Sequence, residues 1–329
     1  MFEGCWYDRK ATPLATQKFV KDIQLLGAMG PPEGARAPLC RRFQGKFNLI
    51  NFTFPADAQI KRIYRTLISN HLTNFEEGIK QQSVALAFPQ ATLELSKQAP
   101  EVFKPVPACP HYTFNMRDMS KVVQGLLQSD SKYYDSKESM VRLWVHESLR
   151  VFYDRLVTDD DRDKLIDILN TKLSLFDMSW KRLFKDAKSL PLFTDFLEDH
   201  EAPAVTVIGD LKEVKEGDDE DRLPYVEVTA KQPKVKKFLE DKLKSYELDP
   251  DAEPQELVLF DQAIEHVMRV YRIITQPRGS ALLIGVGGSG RQSLTRLAAF
   301  IAGMKTRQIH PTKDYDLDSF REDIKDMYR

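Results

Sequence analysis

A glycine-rich segment near the end of the sequence has the residue types and the spacing of a phosphate-binding loop. Residues 285–293 read GVGGSGRQS; they follow the apolar run 281–284 and precede a helical pattern. Gly285 and Gly290 have the separation found in such loops, so the backbone N–H groups between them can hold a phosphate at a helix N-terminus. Arg291 replaces the usual lysine and keeps its positive charge on a larger, planar group.

The residues that follow the glycines favour nucleotide binding over hydrolysis. Gln292 occupies the position of the magnesium-binding hydroxyl, and Ser293 lies one residue late. A hydrolytic site also needs an acidic residue after an apolar strand, and residues 294–329 contain no such arrangement. The candidate nucleotide-binding residues are therefore Gly285, Val286, Gly287, Gly288, Ser289, Gly290, Arg291, Gln292 and Ser293.

The same glycines allow two other interpretations. Gly285, Gly287 and Gly290 also fit the dinucleotide pattern G-x-G-x-x-G, but no acidic residue stands about 20 residues further on to hold a ribose. A tight strand-to-helix turn that binds nothing is the third interpretation. The order of apolar strand, loop and helix favours the phosphate-binding one.

Other candidate groups are weaker on spacing alone. Arg42, next to Arg41, precedes an apolar segment and could reach a neighbouring phosphate, although a surface pair covering apolar residues fits equally well. Arg117 lies near a predicted helix start, where a surface salt bridge is the default. His146 and Glu147 lack the second histidine of a zinc-protease helix, so no metal site is predicted there.

The composition is that of an ordinary globular chain. Hydrophobic residues make up 42% and charged residues 29%, and the formal net charge is -1, so no basic field points to nucleic acid or to an anionic membrane. No segment resembles a signal peptide or a membrane helix. We expect neither a nucleic-acid nor a membrane partner, and an intracellular location. The three cysteines have no ligand-like spacing and are expected to be reduced thiols: Cys5, Cys40 and Cys109.

Hydrophobic periodicity predicts strands at residues 23–29, 47–54 and 281–284. Residues 55 to about 190 are predicted to be helical, with Thr158 as a helix cap. Within this region we expect one inward stripe at Ile60, Ile63, Tyr64, Leu67 and Ile68, and a core stripe at Val141, Val145, Leu149, Phe152 and Leu156. A later helix within residues 255–276 should bury Ile264, Val267, Met268 and Tyr271.

Several separate stretches occur in an order that resembles dynein heavy chains. They are CWYDRK, DIQLLGAMGPP, RRFQGKFNLINF, HYTFNMRDMSKVVQGLL, LWVHESLRVFYDRL and GVGGSGRQSLTRLAAFI. Together they are specific to this family, although each alone would not be. The form GGSGRQS resembles axonemal heavy chains more than the cytoplasmic one. The resemblance places the chain at the end of the third AAA+ module and the start of the fourth.

This resemblance implies a helix-rich α/β fold built from partial P-loop AAA+ modules. Residues 1–54 would be the C-terminal part of one AAA+ α/β subdomain, and residues 55–197 a helical lid subdomain. Residues 198–254, which are charged and contain proline, would be a linker. Residues 255–329 would be the N-terminal part of the next module, with the phosphate loop.

The family also implies roles for two arginines. Arg42 matches the first arginine of a pattern like RFLRHFN, a candidate arginine finger toward a neighbouring module's nucleotide. The second arginine of that pattern is Gly45 here, and Ala37 stands where the family often has asparagine. Arg117 resembles a lid arginine that senses the nucleotide of its own module.

The implied function is that of a segment in the ATP-driven microtubule motor ring of a dynein heavy chain, contributing nucleotide binding and communication between modules. The ligand would be ATP or ADP, with Mg²⁺ possible. The partners would be the rest of the heavy-chain ring, associated dynein subunits and, through the parent motor, microtubules. The location would be the cytoplasm, its cytoskeleton and the axoneme of the cilium.

The resemblance also implies that parts of both modules lie outside the sequence. The third module's phosphate loop would precede Met1, and the fourth module's magnesium-binding acid, the stalk and the microtubule-binding tip would follow Arg329. We therefore expect a fragment that does not hydrolyse ATP by itself. The alternatives are a stand-alone nucleotide-binding regulatory protein without hydrolysis and a helical scaffold with a vestigial loop.

Overall fold

The computed structural model describes most of the chain in both halves. The described residues are 5–7, 17–19, 22, 24–30, 39–75, 79, 82–184, 190–196, 223–228, 233–249, 257–309 and 315–328. The chain divides into two compact units, Met1–Ala56 and Asp57–Arg329. Each unit is described by itself.

The first unit contains one short hairpin and one short helix among its described residues. Strand β1 (Cys5–Tyr7) pairs antiparallel with β2 (Gln17–Phe19), and helix α1 spans Arg41–Gln44. The predicted strands at 23–29 and 47–54 are wrong for their described residues, which carry no strand. A strand requires a hydrogen-bonded neighbour, and these segments find none within the described part of the chain. Their apolar side chains are consequently exposed, as at Phe52, which is 89% exposed.

The second unit begins with a series of helices, as predicted. They are α2 (Asp57–His71), α3 (Gln82–Val102), α4 (Met116–Leu126), α5 (Lys137–Phe152), α6 (Asp159–Leu173) and α7 (Trp180–Leu183). Short 3₁₀ turns follow α2, α5 and α6 at Leu72–Asn74, Tyr153–Arg155 and Ser174–Phe176.

Local capping interactions fix where several of these helices begin. Asn115 forms a capping box with Asp118 at the start of α4, and the Ser136 side chain accepts a hydrogen bond at the start of α5. The predicted cap at Thr158 is confirmed, since its hydroxyl oxygen accepts a hydrogen bond from the Asp161 N–H at 3.2 Å. Acidic residues in the first turn of α6 add a favourable interaction with the helix dipole.

Helix α5 lies in the shared core of these helices, and most of its residues are buried. The predicted core stripe Val141, Val145, Leu149, Phe152 and Leu156 is confirmed, because each of these side chains is buried. Trp144 is fully buried, and its ring lies 5.3 Å from that of Phe176. The stripe predicted on α2 is narrower than expected.

On α2, Ile60 and Ile68 are buried and Tyr64 is half-buried, but Ile63 and Leu67 are exposed. The buried residues are spaced by four, so they form a single line along the helix. Ile63 and Leu67 lie at the edge of that line, so the spacing of apolar residues wrongly predicted that they face inward.

A second hairpin, absent from the sequence prediction, joins the helical core to the rest of the unit. Strand β3 (Leu192–Thr194) pairs antiparallel with β4 (Val226–Val228), with Phe193 opposite Glu227. Side chains alternate across a strand, so Phe193 packs in the helical core while Leu192 packs in the next core.

That second core is built from helices α8 (Pro233–Glu247), α9 (Asp261–Thr275) and α10 (Arg291–Ile301) together with the hairpin. The predicted inward residues of α9 are confirmed as buried: Ile264, Val267, Met268 and Tyr271. Helix α11 (Leu317–Tyr328) follows without a buried residue. Within residues 198–254, predicted to be a charged linker, the described part forms β4 and α8, and residues 198–222 lie outside the described part.

The apolar run 281–284 is not a strand, which corrects the prediction. Leu282 is 83% exposed, and no described strand lies beside it. The sequence signal for a buried strand is present, but pairing depends on partners that local sequence does not specify. Of the helices in the described residues, none is both long and apolar enough to cross a bilayer.

Candidate nucleotide-binding site

The backbone of the glycine loop adopts a conformation that depends on glycine. Gly288 and Gly290 have φ angles of +75° and +73°, in the left-handed region that other residues enter at a cost of about 1–2 kcal/mol. Gly290 is also the N-cap of α10. The two left-handed residues turn the chain sharply into the helix, so the segment is a tight loop that ends on a helix N-terminus.

The N-terminus of α10 has the electrostatic character of an anion site. The first hydrogen bond of the helix runs from the Leu294 N–H to the Gly290 carbonyl oxygen at 2.9 Å. The preceding N–H groups, those of Arg291, Gln292 and Ser293, have no acceptor within the helix. Because these groups carry the positive end of the helix dipole, this end of α10 favours a phosphate.

The side chain of Arg291 lies across its own loop. Its Nη2 atom donates a hydrogen bond to the Val286 carbonyl oxygen at 3.1 Å. A Cβ atom added to Gly285 would meet the Ser289 hydroxyl oxygen at 3.1 Å and the Arg291 side chain at 3.6 Å. Arginine therefore bridges its own loop with one N–H group and still has further N–H donors in a planar arrangement that lysine lacks.

Arg117 is the second residue of α4, so its predicted place near a helix start is confirmed. Its side chain is exposed and forms no ion pair within the described part of the chain, in contrast to the predicted default of a salt bridge. Its neighbour Asp118 is buried and pairs with Arg155 at 2.7 Å. The capping box and this ion pair fix the turn on which Arg117 stands.

Arg42 lies on the short helix α1 with an exposed side chain. It belongs to the unit Met1–Ala56, whereas the loop and Arg117 belong to Asp57–Arg329. The structure therefore gives no geometry that joins Arg42 to the loop. Among the described residues, no three potential histidine, cysteine or carboxylate ligands are grouped as a metal site.

A buried polar junction, which the sequence patterns did not predict, joins α5 to α9. The guanidinium group of Arg272 on α9 pairs with the Glu147 carboxylate on α5, and both side chains are buried. Tyr225 donates its hydroxyl proton to Glu147 at 2.9 Å. The available signal in the sequence was the set of polar residues His146, Glu147 and Arg150 within an otherwise apolar stripe.

Burial shifts the pKa values of the groups in this junction. Burial lowers the pKa of His146 well below its usual range, and the guanidinium groups of Arg150 and Arg272 lower it further. Burial also lowers the pKa of Arg150 to about 10. Burial would lower the pKa of Arg272, but Glu147 and Tyr225 outweigh it and raise the value above its ordinary range. His146 is therefore neutral and Arg272 is charged at neutral pH.

A neutral His146 sets the direction of its hydrogen bonds. Its Nδ1 atom lies 2.8 Å from the Pro191 carbonyl oxygen, which can only accept, so Nδ1 carries the proton. Its Nε2 atom is then an acceptor, 3.1 Å from the Tyr225 hydroxyl. The Tyr225 hydroxyl has one proton, and it donates this proton to the charged Glu147 carboxylate at 2.9 Å rather than to Nε2 at 3.1 Å.

The glycine loop that leads into the N-terminus of α10 matches the loop and helix of the strand–loop–helix arrangement of P-loop proteins. Three family descriptions match successive parts of the chain. Residues 1–55 match "P-loop containing dynein motor region", residues 65–162 match "Dynein heavy chain, ATPase lid domain", and residues 255–329 match "P-loop containing dynein motor region D4".

Relatives match almost the whole chain. Dynein axonemal heavy chain 2 of Mus musculus is 42% identical over 327 residues, covering 99% of this chain and 7% of the relative. The Dynein-1-beta heavy chain of the flagellar inner arm I1 complex of Chlamydomonas reinhardtii is 37% identical over 329 residues, with the same coverage. Dynein axonemal heavy chain 6 of Homo sapiens is 36% identical over 331 residues, again covering 99% and 7%.

The chain belongs to the dynein heavy chain family and corresponds to part of its motor region. It spans about 7% of the length of these relatives. The resemblance predicted from the quoted motifs, including its axonemal type, is therefore confirmed, as is the helix-rich fold with P-loop motor modules. The alternatives, a stand-alone regulatory protein and a scaffold, receive no support from these relatives.

Proposed function

We propose that this chain is a segment of an ATP-driven microtubule motor ring, in which it binds nucleotide and transmits the state of one module to the next. The observation that supports this most directly is the loop with left-handed Gly288 and Gly290 at the N-terminus of α10. The motor would work with the rest of its ring, with associated dynein subunits and with microtubules. It would be located in the cytoskeleton of the ciliary axoneme.

We infer the following division of the chain within that ring. Residues 1–54 would end one α/β subdomain, 55–197 would form the helical lid, 198–254 would connect the modules, and 255–329 would begin the next module. The separation of a unit ending at Ala56 supports the first boundary. The helix α8 and strand β4 inside 198–254 indicate that this connection is partly folded.

We also propose roles for the site residues. Residues 285–293 would bind the phosphates of ATP or ADP through backbone N–H groups and the Arg291 guanidinium, while Gln292 stands in the position that usually contributes to Mg²⁺ binding. Arg42 would act as an arginine finger and Arg117 as a nucleotide sensor. Both side chains are exposed and form no ion pair within the described residues, so their guanidinium groups can reach a phosphate, which supports these roles.

Arg291→Ala is expected to weaken nucleotide binding about tenfold or more, because a charge-assisted hydrogen bond to phosphate contributes on the order of 1.5–3 kcal/mol. The measurement is equilibrium titration of the 329-residue chain with a fluorescent ATP analogue. Adenosine, which has no phosphate, should not compete, whereas ADP should.

Arg296→Ala is the matched control, since Arg296 lies on the same helix and its Nη2 atom donates to Gln308 at 2.7 Å. This variant loses the same charge outside the loop and should bind the analogue like the unmodified chain. Equal affinities for the Arg291 variant and the unmodified chain would contradict the proposed phosphate contact.

A further inference from the structure

Glu147, a buried charged residue of α5, lies where four elements of the second unit meet. These elements are α4, α5, α9 and the β3–β4 hairpin. Arg272 Nε lies 3.2 Å from Glu147 Oε1, and its Nη2 atom donates to Oε2. The Tyr225 hydroxyl, from the segment just before β4, donates to Oε1 at 2.9 Å. The Glu147 carboxylate thus receives hydrogen bonds from α9 and from the hairpin at once.

The fit around Glu147 leaves no free space on the side of α4. A Cβ atom added to Gly125 would lie 1.8 Å from Glu147 Oε2, so only glycine allows α4 to approach this closely. Tyr134 adds a further tie, since its hydroxyl donates to the Tyr225 carbonyl oxygen at 2.6 Å. These contacts therefore hold α4, α5, the hairpin and α9 together at Glu147.

The position of Arg272 along α9 links this junction to the glycine loop. Arg272 lies in the last turn of α9, which ends at Thr275. A tight turn follows: the Gly279 N–H donates to the Gln276 carbonyl oxygen at 2.9 Å, and Arg278 has a φ of +58°. Residues 280–284 then lead directly into the loop.

Helix α9 also contacts the helix that begins at the loop. Apolar side chains of α9 and α10 share one core: Ile264, Val267 and Met268 from the first, Leu294, Leu297 and Ala298 from the second. The loop is therefore connected to α9 through residues 276–284 on one side, and on the other side it leads into α10, which packs against α9. A fixed position of the C-terminal end of α9 therefore restricts the position of the loop.

We propose that Glu147, Arg272 and Tyr225 are positioning residues for the glycine loop: they hold the end of α9 against the lid helices so that the loop keeps its phosphate-binding geometry. This rests on the proposed nucleotide binding at residues 285–293. Linkage requires the effect to be reciprocal, so nucleotide bound at the loop stabilises the junction as the junction stabilises the loop.

Tyr225→Phe tests this with little disturbance, because it removes one hydroxyl group and leaves the Glu147–Arg272 pair in place. Titration of the 329-residue chain with the fluorescent ATP analogue should show affinity about fivefold weaker or more, the lower end of measured couplings between sites. Amide hydrogen exchange should also show that nucleotide protects α5 less in this variant than in the unmodified chain.

Tyr112→Phe is the matched control. Its hydroxyl is also inside the lid, where it donates to Asp161 at 3.1 Å and accepts from the Val157 N–H at 2.8 Å, but it has no described contact with α9. This variant should lose stability in chemical denaturation while keeping its nucleotide affinity. A role in general stability alone would affect the two tyrosine variants alike.

The outcomes separate this inference from the proposed function. If the unmodified chain binds no nucleotide, both are overturned. If it binds, and Tyr225→Phe binds equally well with α5 equally protected, only the positioning role is overturned. Weaker binding by Tyr225→Phe but not by Tyr112→Phe supports the positioning role.

Discussion

Arg272→Met is expected to lower the free energy of unfolding by about 3–5 kcal/mol, because it leaves the buried Glu147 carboxylate without its charged partner. A methionine fills most of the volume of the arginine stem, so the loss comes from the unpaired charge more than from a cavity. Urea denaturation of the variant and of the unmodified chain, followed by far-ultraviolet circular dichroism, measures the difference.

A double-mutant cycle separates the charge from the packing. Glu147→Gln combined with Arg272→Met removes both charges and should recover a large part of the loss, since replacing a buried pair as a whole is often nearly neutral. Arg321→Met is the surface control: Arg321 pairs with Asp318 at 2.9 Å, but both are exposed, so little change is expected. Additive losses in the cycle would show that the pair is not coupled.

Trp144→Ala is expected to lower the free energy of unfolding by about 3–5 kcal/mol through loss of core packing. The indole is fully buried in α5, contacts the ring of Phe176, and donates a hydrogen bond from Nε1 to the Thr92 hydroxyl at 2.9 Å. Truncation leaves a cavity in the helical core and removes the indole donor from the Thr92 hydroxyl, which keeps its own hydrogen bond to the Phe88 carbonyl oxygen. Differential scanning calorimetry should show a markedly lower melting temperature.

Leu67→Ala is the control for this prediction. Leu67 is exposed on α2, although the sequence pattern placed it in the inward stripe, and its truncation should change the free energy of unfolding by less than about 0.5 kcal/mol. Similar losses for the two variants would contradict the core described around α5.

The helices could be predicted from sequence because their determinants are local. The spacing of Val141, Val145 and Leu149 defines the buried face of α5, and Thr158 marks the start of α6, all within a few turns of chain. Apolar runs such as 47–54 and 281–284 have no comparable local determinant. Whether they become strands depends on a neighbour elsewhere, and none of the described segments pairs with them.

The site shows the same division between local and distant determinants. The glycine spacing, together with the apolar run before it and the helical pattern after it, predicted the loop, and Gly288 and Gly290 adopt the conformation that glycine permits. The contact of Arg291 with Val286 depends on how the side chain folds back, which spacing does not specify. Glu147 and Arg272 are 125 positions apart, so their pairing had no pattern in the sequence, although a charged residue within an apolar stripe was a usable sign.

Site-resolved amide hydrogen exchange of the 329-residue chain with and without ATP tests the central claim most directly, since it reports on the loop itself. Bound phosphate should slow exchange of the N–H groups in residues 285–293, and Arg291→Ala should reduce this protection at the same ATP concentration, while Arg296→Ala should retain it. Unchanged exchange at these residues under saturating ATP would contradict a phosphate-binding role for the loop.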